Sequence, residues 1–192
     1  ALTLSPTKEE RGMVSEIYVS FQVLLGDGTC LQIGSYPRFT AITPVHDLDI
    51  LYIVGVWEQS WDPDKYAPQE AMAHLLNLIN NNHIPPKGSR VIKIEPQTHS
   101  VTVLFRFGDK EFSVDVVPAY SYSVNEFGQD MYKVPEMVKV KSHGKRKELY
   151  SQRLMERRNM AWINSDPNGY IKVATKVGEN PDFRKTVKMV KK

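Results

Sequence analysis

Cysteine is almost absent from this chain. Of 192 residues only Cys30 is one, and it sits in the apolar run Cys30 to Ile33. No disulfide framework is possible, so a reducing, cytoplasmic setting is the default, and the lone thiol reads as a small buried side chain. Long hydrophobic runs are missing as well. The longest, Ile50 to Trp57, is far short of the roughly 20 residues that span a bilayer. No secretory signal pattern is present either, so no membrane partner is expected. Internal repeats and low-complexity tracts are lacking. With 41% hydrophobic and 24% charged residues, the chain has an ordinary globular composition, long enough to bury a sizeable core.

A strong overall charge is also absent, the net being +3, but its distribution is uneven. Residues 1–132 carry 9 Lys and Arg against 16 Asp and Glu, a net of −7; residues 133–192 carry 16 against 6, a net of +10. An acidic portion suited to holding a metal therefore precedes a basic portion suited to polyphosphate, to RNA or simply to solvent.

The chain is organised around Ile33 to Ile50. Gly34-Ser35 follows one apolar run, and Asp47-Leu48-Asp49 opens the next. On a strand, side chains at i and i+2 share a face, so Asp47 and Asp49 point the same way. Two like charges held so close cost free energy unless a cation lies between them. A hard divalent cation with oxygen ligands, Mg²⁺ before others, meets that need. The Gly-Ser pair suits a strand-to-helix turn where backbone can approach a phosphate.

The remaining elements read as follows. Ser5 as N-cap with Pro6 behind it opens a helix carrying Val14, Ile17, Tyr18, Phe21, Leu24 and Leu25 on its apolar face, ended by Gly26-Asp27-Gly28. Thr29 to Ile33 is a strand, Ser35 to Thr43 a short helix or helical turn, and Asp47 to Val56 a central strand covered on both faces. Glu58 to Pro68 is a loop in which Trp57 and Trp61 serve as anchors rather than as a base-stacking platform. Gln69 to Asn82 is a helix stopped by Pro85-Pro86; His74 and His83 read as structural or exposed. Three strands follow, Arg90 to Glu95, Ser100 to Phe107 and Glu111 to Val117. In the last, Ser113, Asp115 and Val117 share one face and Phe112, Val114 and Val116 the other. Asp115 is thus a carboxylate within an apolar strand, either a surface aspartate on an edge or a buried one with a partner. Residues 118–135 read as a long loop with Tyr120, Tyr122 and Tyr132, any of which offers a ring to a base. A short strand Met137 to Val140, a helix Lys145 to Trp162, and a final helix Asp182 to Lys192 after Asn180-Pro181 complete the reading.

The spacing Gly34-Ser35, eleven residues, then Asp47-Leu48-Asp49 resembles the signature of the DNA polymerase β-like nucleotidyltransferase superfamily. The fuller stretch Gly34 to Asp49 is similar to the cGAS/DncV-like nucleotidyltransferases of bacterial antiphage systems, which join nucleoside triphosphates into cyclic di- or trinucleotide signals. One departure is Phe39, where the family usually has glycine before the threonine. The resemblance implies an α+β fold with a mixed twisted sheet flanked by helices, and one catalytic domain over residues 1–192. It implies two Mg²⁺ ions, or Mn²⁺, on Asp47, Asp49 and Asp115 as catalytic and metal-binding residues. Such ions lie about 3.5–4 Å apart. Gly34 and Ser35 would hold the triphosphate with Lys191, while Arg38 and Thr40 orient the loop. Trp162 to Ile171, with Asp166-Pro167, resembles a family segment after the catalytic strands. The family continues into a C-terminal helical domain forming the other cleft wall, expected to lie beyond residues 133–192. The alternatives are an RNA-directed transferase of the CCA-adding or oligoadenylate synthase type and a nucleotide-binding module without turnover.

Overall fold

The structure is a computed structural model that describes residues 4–62, 65–137 and 160–191. It is organised by one mixed sheet. Strands β1 (Cys30–Ile33), β2 (Asp47–Val56), β3 (Ser89–Pro96), β4 (Val101–Phe107) and β5 (Lys110–Val124) lie in the order β1-β2-β5-β4-β3. Strands β6 (Asp130–Met137) and β7 (Met160–Ser165) extend it from the distal half of β5. Among the described strands only β2 and β5 run parallel; every other pair is antiparallel.

Helix α1 (Lys8–Leu25) buries Val14, Ile17, Phe21 and Leu25, a spacing that keeps one stripe inward. Helix α2 (Pro68–Asn82) does the same with Met72, Leu75 and Ile79. Both stripes meet the sheet face formed by Leu48 and Ile50 of β2, Val103 and Phe105 of β4, and Phe112, Val114 and Val116 of β5. The opposite face carries a smaller cluster, Leu51, Val117, Ala119, Tyr132 and Val134. Helix α3 (Pro167–Val177) lies against β1 and β6, with Asn168 Nδ2 bonded to the Tyr132 hydroxyl of this second face. Helix α4 (Pro181–Lys191) closes the described chain.

Several sequence expectations shift. The cap of α1 is Thr7 rather than Ser5: Thr7 Oγ1 accepts from the Glu10 N–H, and Glu10 Oε2 accepts from the Thr7 N–H, at 3.1 and 2.7 Å. This reciprocal capping box satisfies two helix-end donors, which a serine two residues earlier could not do. Of the short helix or helical turn expected over Ser35 to Thr43, consecutive turns form at 34–39 and no helix follows through 43. The stretch 118–135 is mostly strand. Pro118 does not stop β5, which stays paired with β2 as far as Ser121 and turns at 125–129 into β6. Pairing on both sides overrides the local turn signals there. Met160 to Trp162 belong to β7 rather than to the end of a helix; residues 138–140 of the expected short strand and 145–159 of the expected helix lie outside the described residues. Helix α3 is not among the expected elements although its signals are plain: Asp166 caps it by accepting from the Gly169 N–H at 2.8 Å, and Pro167 takes the first helical position.

Candidate active site

Alternation along β2 puts Asp47, Asp49 and Leu51 on the sheet face away from α1 and α2. In the parallel pairing Asp49 stands opposite Asp115 and Asp47 opposite Ser113. Register partners share a face, so Asp115 joins the Asp47–Asp49 pair there. On the other side Asp49 is paired with Ile33, the residue before Gly34. The end of β1, the start of β2 and the middle of β5 are thereby brought to one place.

Gly34 is needed there for two reasons. Its φ is +76°, a left-handed conformation, and a Cβ built on it would lie 1.8 Å from Asp49 Oδ2. The turn after it is tied by its own backbone and by the Arg38 side chain. Thr40 N–H donates to the Ser35 carbonyl at 3.0 Å, Phe39 N–H to the Tyr36 carbonyl at 3.0 Å, and Arg38 Nε–H to the Gly34 carbonyl at 2.5 Å. Phe39 has φ +58°, the region in which glycine is at ease. The place where the family pattern has glycine thus keeps a glycine-like backbone here, with the Arg184 guanidinium of α4 4.7 Å from the Phe39 ring centre.

A cavity of about 330 Å³ opens over this turn, lined by Ser35, Arg38, His46, Asp47, Asp49 and Lys191 among others. Lys191 reaches it from the end of α4, and its Nζ donates to the Thr40 carbonyl at 3.3 Å. Of the basic final portion, α4 therefore sets Lys191 beside the acidic pair and Arg184 beside the turn.

Burial pushes the Asp49 carboxyl up from 3.8 to about 6; the negative charges of Asp47 and Asp115 push the same way, and Arg38 and Lys191 oppose them. Three carboxylates thus share a region with too little positive charge. Asp115 Oδ1 accepts a hydrogen bond from the Thr102 hydroxyl of β4, its register partner. Among the described residues no three His, Cys, Asp or Glu side chains stand close enough to ligate one metal ion as they are placed. The three carboxylates are gathered on one face, with one oxygen of Asp115 hydrogen-bonded to Thr102.

Two contributors escaped the sequence reading. Thr102 is one; the alternation of β4 put it opposite its apolar neighbours, but its partner depended on register. Glu10 is the other. Besides capping α1 it accepts from the Thr43 hydroxyl at 2.9 Å and the Val45 N–H at 3.0 Å, tying the helix to the chain just before Asp47. Burial pushes its carboxyl up, but the hydrogen bonds from Thr7, Val45 and Thr43 outweigh that and leave it below its ordinary value. The Thr7-x-x-Glu10 pattern was its visible signal. Of the tyrosines that offered a ring to a base, Tyr132 and Tyr120 are buried, and Tyr122 lies under the Lys133 ammonium at 4.6 Å.

No family model and no curated protein matches the chain. Solved structures do. A cyclic dinucleotide synthase CdnE from Elizabethkingia meningoseptica, with GTP and Apcpp, aligns over 97% of this chain and 59% of its own length at 17% identity, TM-score 0.55. The Rhodothermus marinus CdnE c-UMP-AMP synthase, with Apcpp and Upnpp, aligns over 98% of this chain and 62% of its own at 11% identity, TM-score 0.55. The chain spans about three fifths of the length of either structure, and it has their α+β nucleotidyltransferase fold, a mixed sheet with four helices among the described residues.

Proposed function

We propose that this chain is the catalytic portion of a cGAS/DncV-like nucleotidyltransferase that joins nucleoside triphosphates into a cyclic di- or trinucleotide signal, serving antiphage defence. The observation that carries this reading is the pairing of Asp49 with Asp115 beside Gly34-Ser35, with Arg38 and Lys191 over the same cavity. The fold shared with two cyclic dinucleotide synthases supports it.

In this reading the turn at Ser35, with Lys191, holds the donor triphosphate, whose negative charge answers Lys191 and Arg38. An acceptor ribose hydroxyl oxygen bonds to the α-phosphorus as the bond to the bridging oxygen breaks, and pyrophosphate leaves. The hydroxyl proton passes to Asp115 or to water. Thr102 keeps the Asp115 carboxylate oriented by donating to one oxygen. The donor set fits a hard divalent cation: three carboxylates on one face, one of them raised to about 6 by burial and by the other two, against the partial opposition of Arg38 and Lys191. Asp47, Asp49 and Asp115 would hold two Mg²⁺ or Mn²⁺ ions, which would supply a lowered pKa of the attacking hydroxyl and stabilisation of the leaving oxygens. Residues 133–192 lead, in this reading, into a further helical domain against which the acceptor lies.

The test is to incubate a chain extended by that helical domain with NTP mixtures and Mg²⁺ and to identify products by mass spectrometry. Cyclic product should form without a polynucleotide acceptor and vanish in Asp49→Asn. Residues 1–192 by themselves should bind NTP·Mg²⁺ weakly and make little product. Transfer to an RNA 3′ end with no cyclic species would overturn the reading.

A further inference from the structure

The far end of β2 carries a second constellation unconnected with the aspartates. Trp57 follows β2 directly, so ten residues at about 3.3 Å each place it roughly 30 Å from Asp47. Here Trp57, Trp61, Tyr66, Tyr120 and Trp162 gather. Trp57 meets Trp61 and Trp162 with ring centres 5.8 and 5.7 Å apart, Trp61 stacks on Tyr66 at 4.1 Å, and Tyr120 fills the base of the group. A cavity of about 440 Å³ lined by Trp57, Trp61, Tyr66 and Trp162 of this group opens here, within the range of small-molecule sites.

One wall of that cavity is Gln69, in the first turn of α2. It is 1% exposed, yet neither its Nε2 nor its Oε1 has a hydrogen-bond partner. A buried carboxamide with both ends unmatched is rare, because desolvation is then uncompensated. The Trp162 indole N–H is already used, donating to the Tyr66 carbonyl at 2.9 Å. The cavity therefore offers flat aromatic walls with the Gln69 carboxamide covered directly behind them, a side-chain rotation away from an occupant, and Glu58, Gln59 and Asp62 also in its lining.

We infer that this cavity is a binding site for a neutral aromatic heterocycle that carries an N–H donor beside a ring acceptor, with an adenine base as its matching probe. The carboxamide would donate from Nε2 to a ring nitrogen and accept at Oε1 from the exocyclic N6–H, the bidentate pairing that glutamine makes with adenine. The tryptophan and tyrosine rings would stack on the base. Glu58 and Asp62 line the same cavity, which disfavours a phosphate inside it and favours the base or its nucleoside. The site does not depend on the proposed chemistry at the aspartates, and its test needs neither metal nor product.

All three tryptophans of the chain, Trp57, Trp61 and Trp162, belong to this cluster. Tryptophan emission excited at 295 nm therefore reports on this end of the sheet alone. Adenosine titrated into the metal-free chain should change that emission saturably. N6,N6-Dimethyladenosine, which lacks the exocyclic donor, should bind at least tenfold more weakly. Gln69→Leu should weaken adenosine at least tenfold while raising the Tm, because it removes an unmatched buried amide. Asp49→Asn should leave adenosine binding unchanged. The inference is overturned by no saturable response to adenosine, by equal binding of the dimethyl analogue, or by a Gln69→Leu variant that binds normally. A lower Tm in Gln69→Leu would also overturn it, since the amide would then have a structural role.

Discussion

Replacing Asp49 by asparagine should make the folded chain more stable at neutral pH, although it removes the residue on which the proposed chemistry depends. The folded chain holds the Asp49 carboxyl at about 6 against an ordinary 3.8, first by burial and then by Asp47 and Asp115. At about 1.36 kcal/mol per pH unit that corresponds to about 3 kcal/mol of folding free energy withheld when the group is ionised. The group is partly solvated, and screening reduces the usable figure to about 1–2 kcal/mol. In a chain of this size that is a Tm increase of about 2–8 °C. The sign follows from proton binding. Between pH 3.8 and 6 the folded state holds the Asp49 proton and the unfolded state has lost it, so stability falls as pH rises through that interval. The advantage of asparagine is thus complete above about pH 6, about a third of that at pH 4.5, and nearly gone below 3.8. Denaturant unfolding of both chains without metal at pH 7.5 and 4.5 measures it. A variant less stable than the parent at pH 7.5, or an advantage that does not shrink on acidification, would refute the reasoning. It would mean that the attraction of Arg38 and Lys191 outweighs burial and repulsion.

Gly34→Ala should abolish nucleotidyl transfer and lower stability by at least about 1 kcal/mol, since its φ is +76° and its Cβ would overlap Asp49 Oδ2; product assay and thermal melting together check this. Thr102→Val, which keeps shape but removes the hydrogen bond to Asp115, should cost about 1 kcal/mol or less in stability yet lower the transfer rate about tenfold, read from initial rates. Glu10→Ala should cost about 1–3 kcal/mol by denaturant unfolding, because it removes the capping box and the ties to Thr43 and Val45. The Glu10 contribution lies with the ionised form, whose pKa is lowered on folding, so the difference from Glu10→Ala should shrink as pH drops through the carboxylate range.

Much of this architecture was legible in the chain because it rests on short-range rules. Alternation of side chains put Asp47 with Asp49 on one face of β2, and Asp115 opposite Val114 and Val116 on β5, before any pairing was known. Helical spacing found the inward stripe of α1, and Gly26 and Pro85-Pro86 found where α1 and α2 stop. The misreadings occur where tertiary pairing overrules local signals. Pro118 reads as a break, but β2 and β6 hold the strand beyond it. Met160 to Trp162 read as the end of a helix, but β6 draws them into an antiparallel ladder.

What the sequence by itself determined is therefore the composition of each face: which residues of a strand look the same way, which helix stripe is apolar, and where glycine must give the backbone room. Only the tertiary structure decided which faces meet. Period two leaves the register between β2 and β5 open, and a slip of one residue would have turned Asp115 away from Asp49. The same holds for Lys191, whose Nζ reaches the Thr40 carbonyl across 151 positions of chain, and for Thr102, which finds Asp115 only through the β4–β5 ladder. Side-chain direction follows from local covalent geometry and is written in the neighbouring residues. Proximity between distant segments follows from how a whole core packs, and no local pattern contains it.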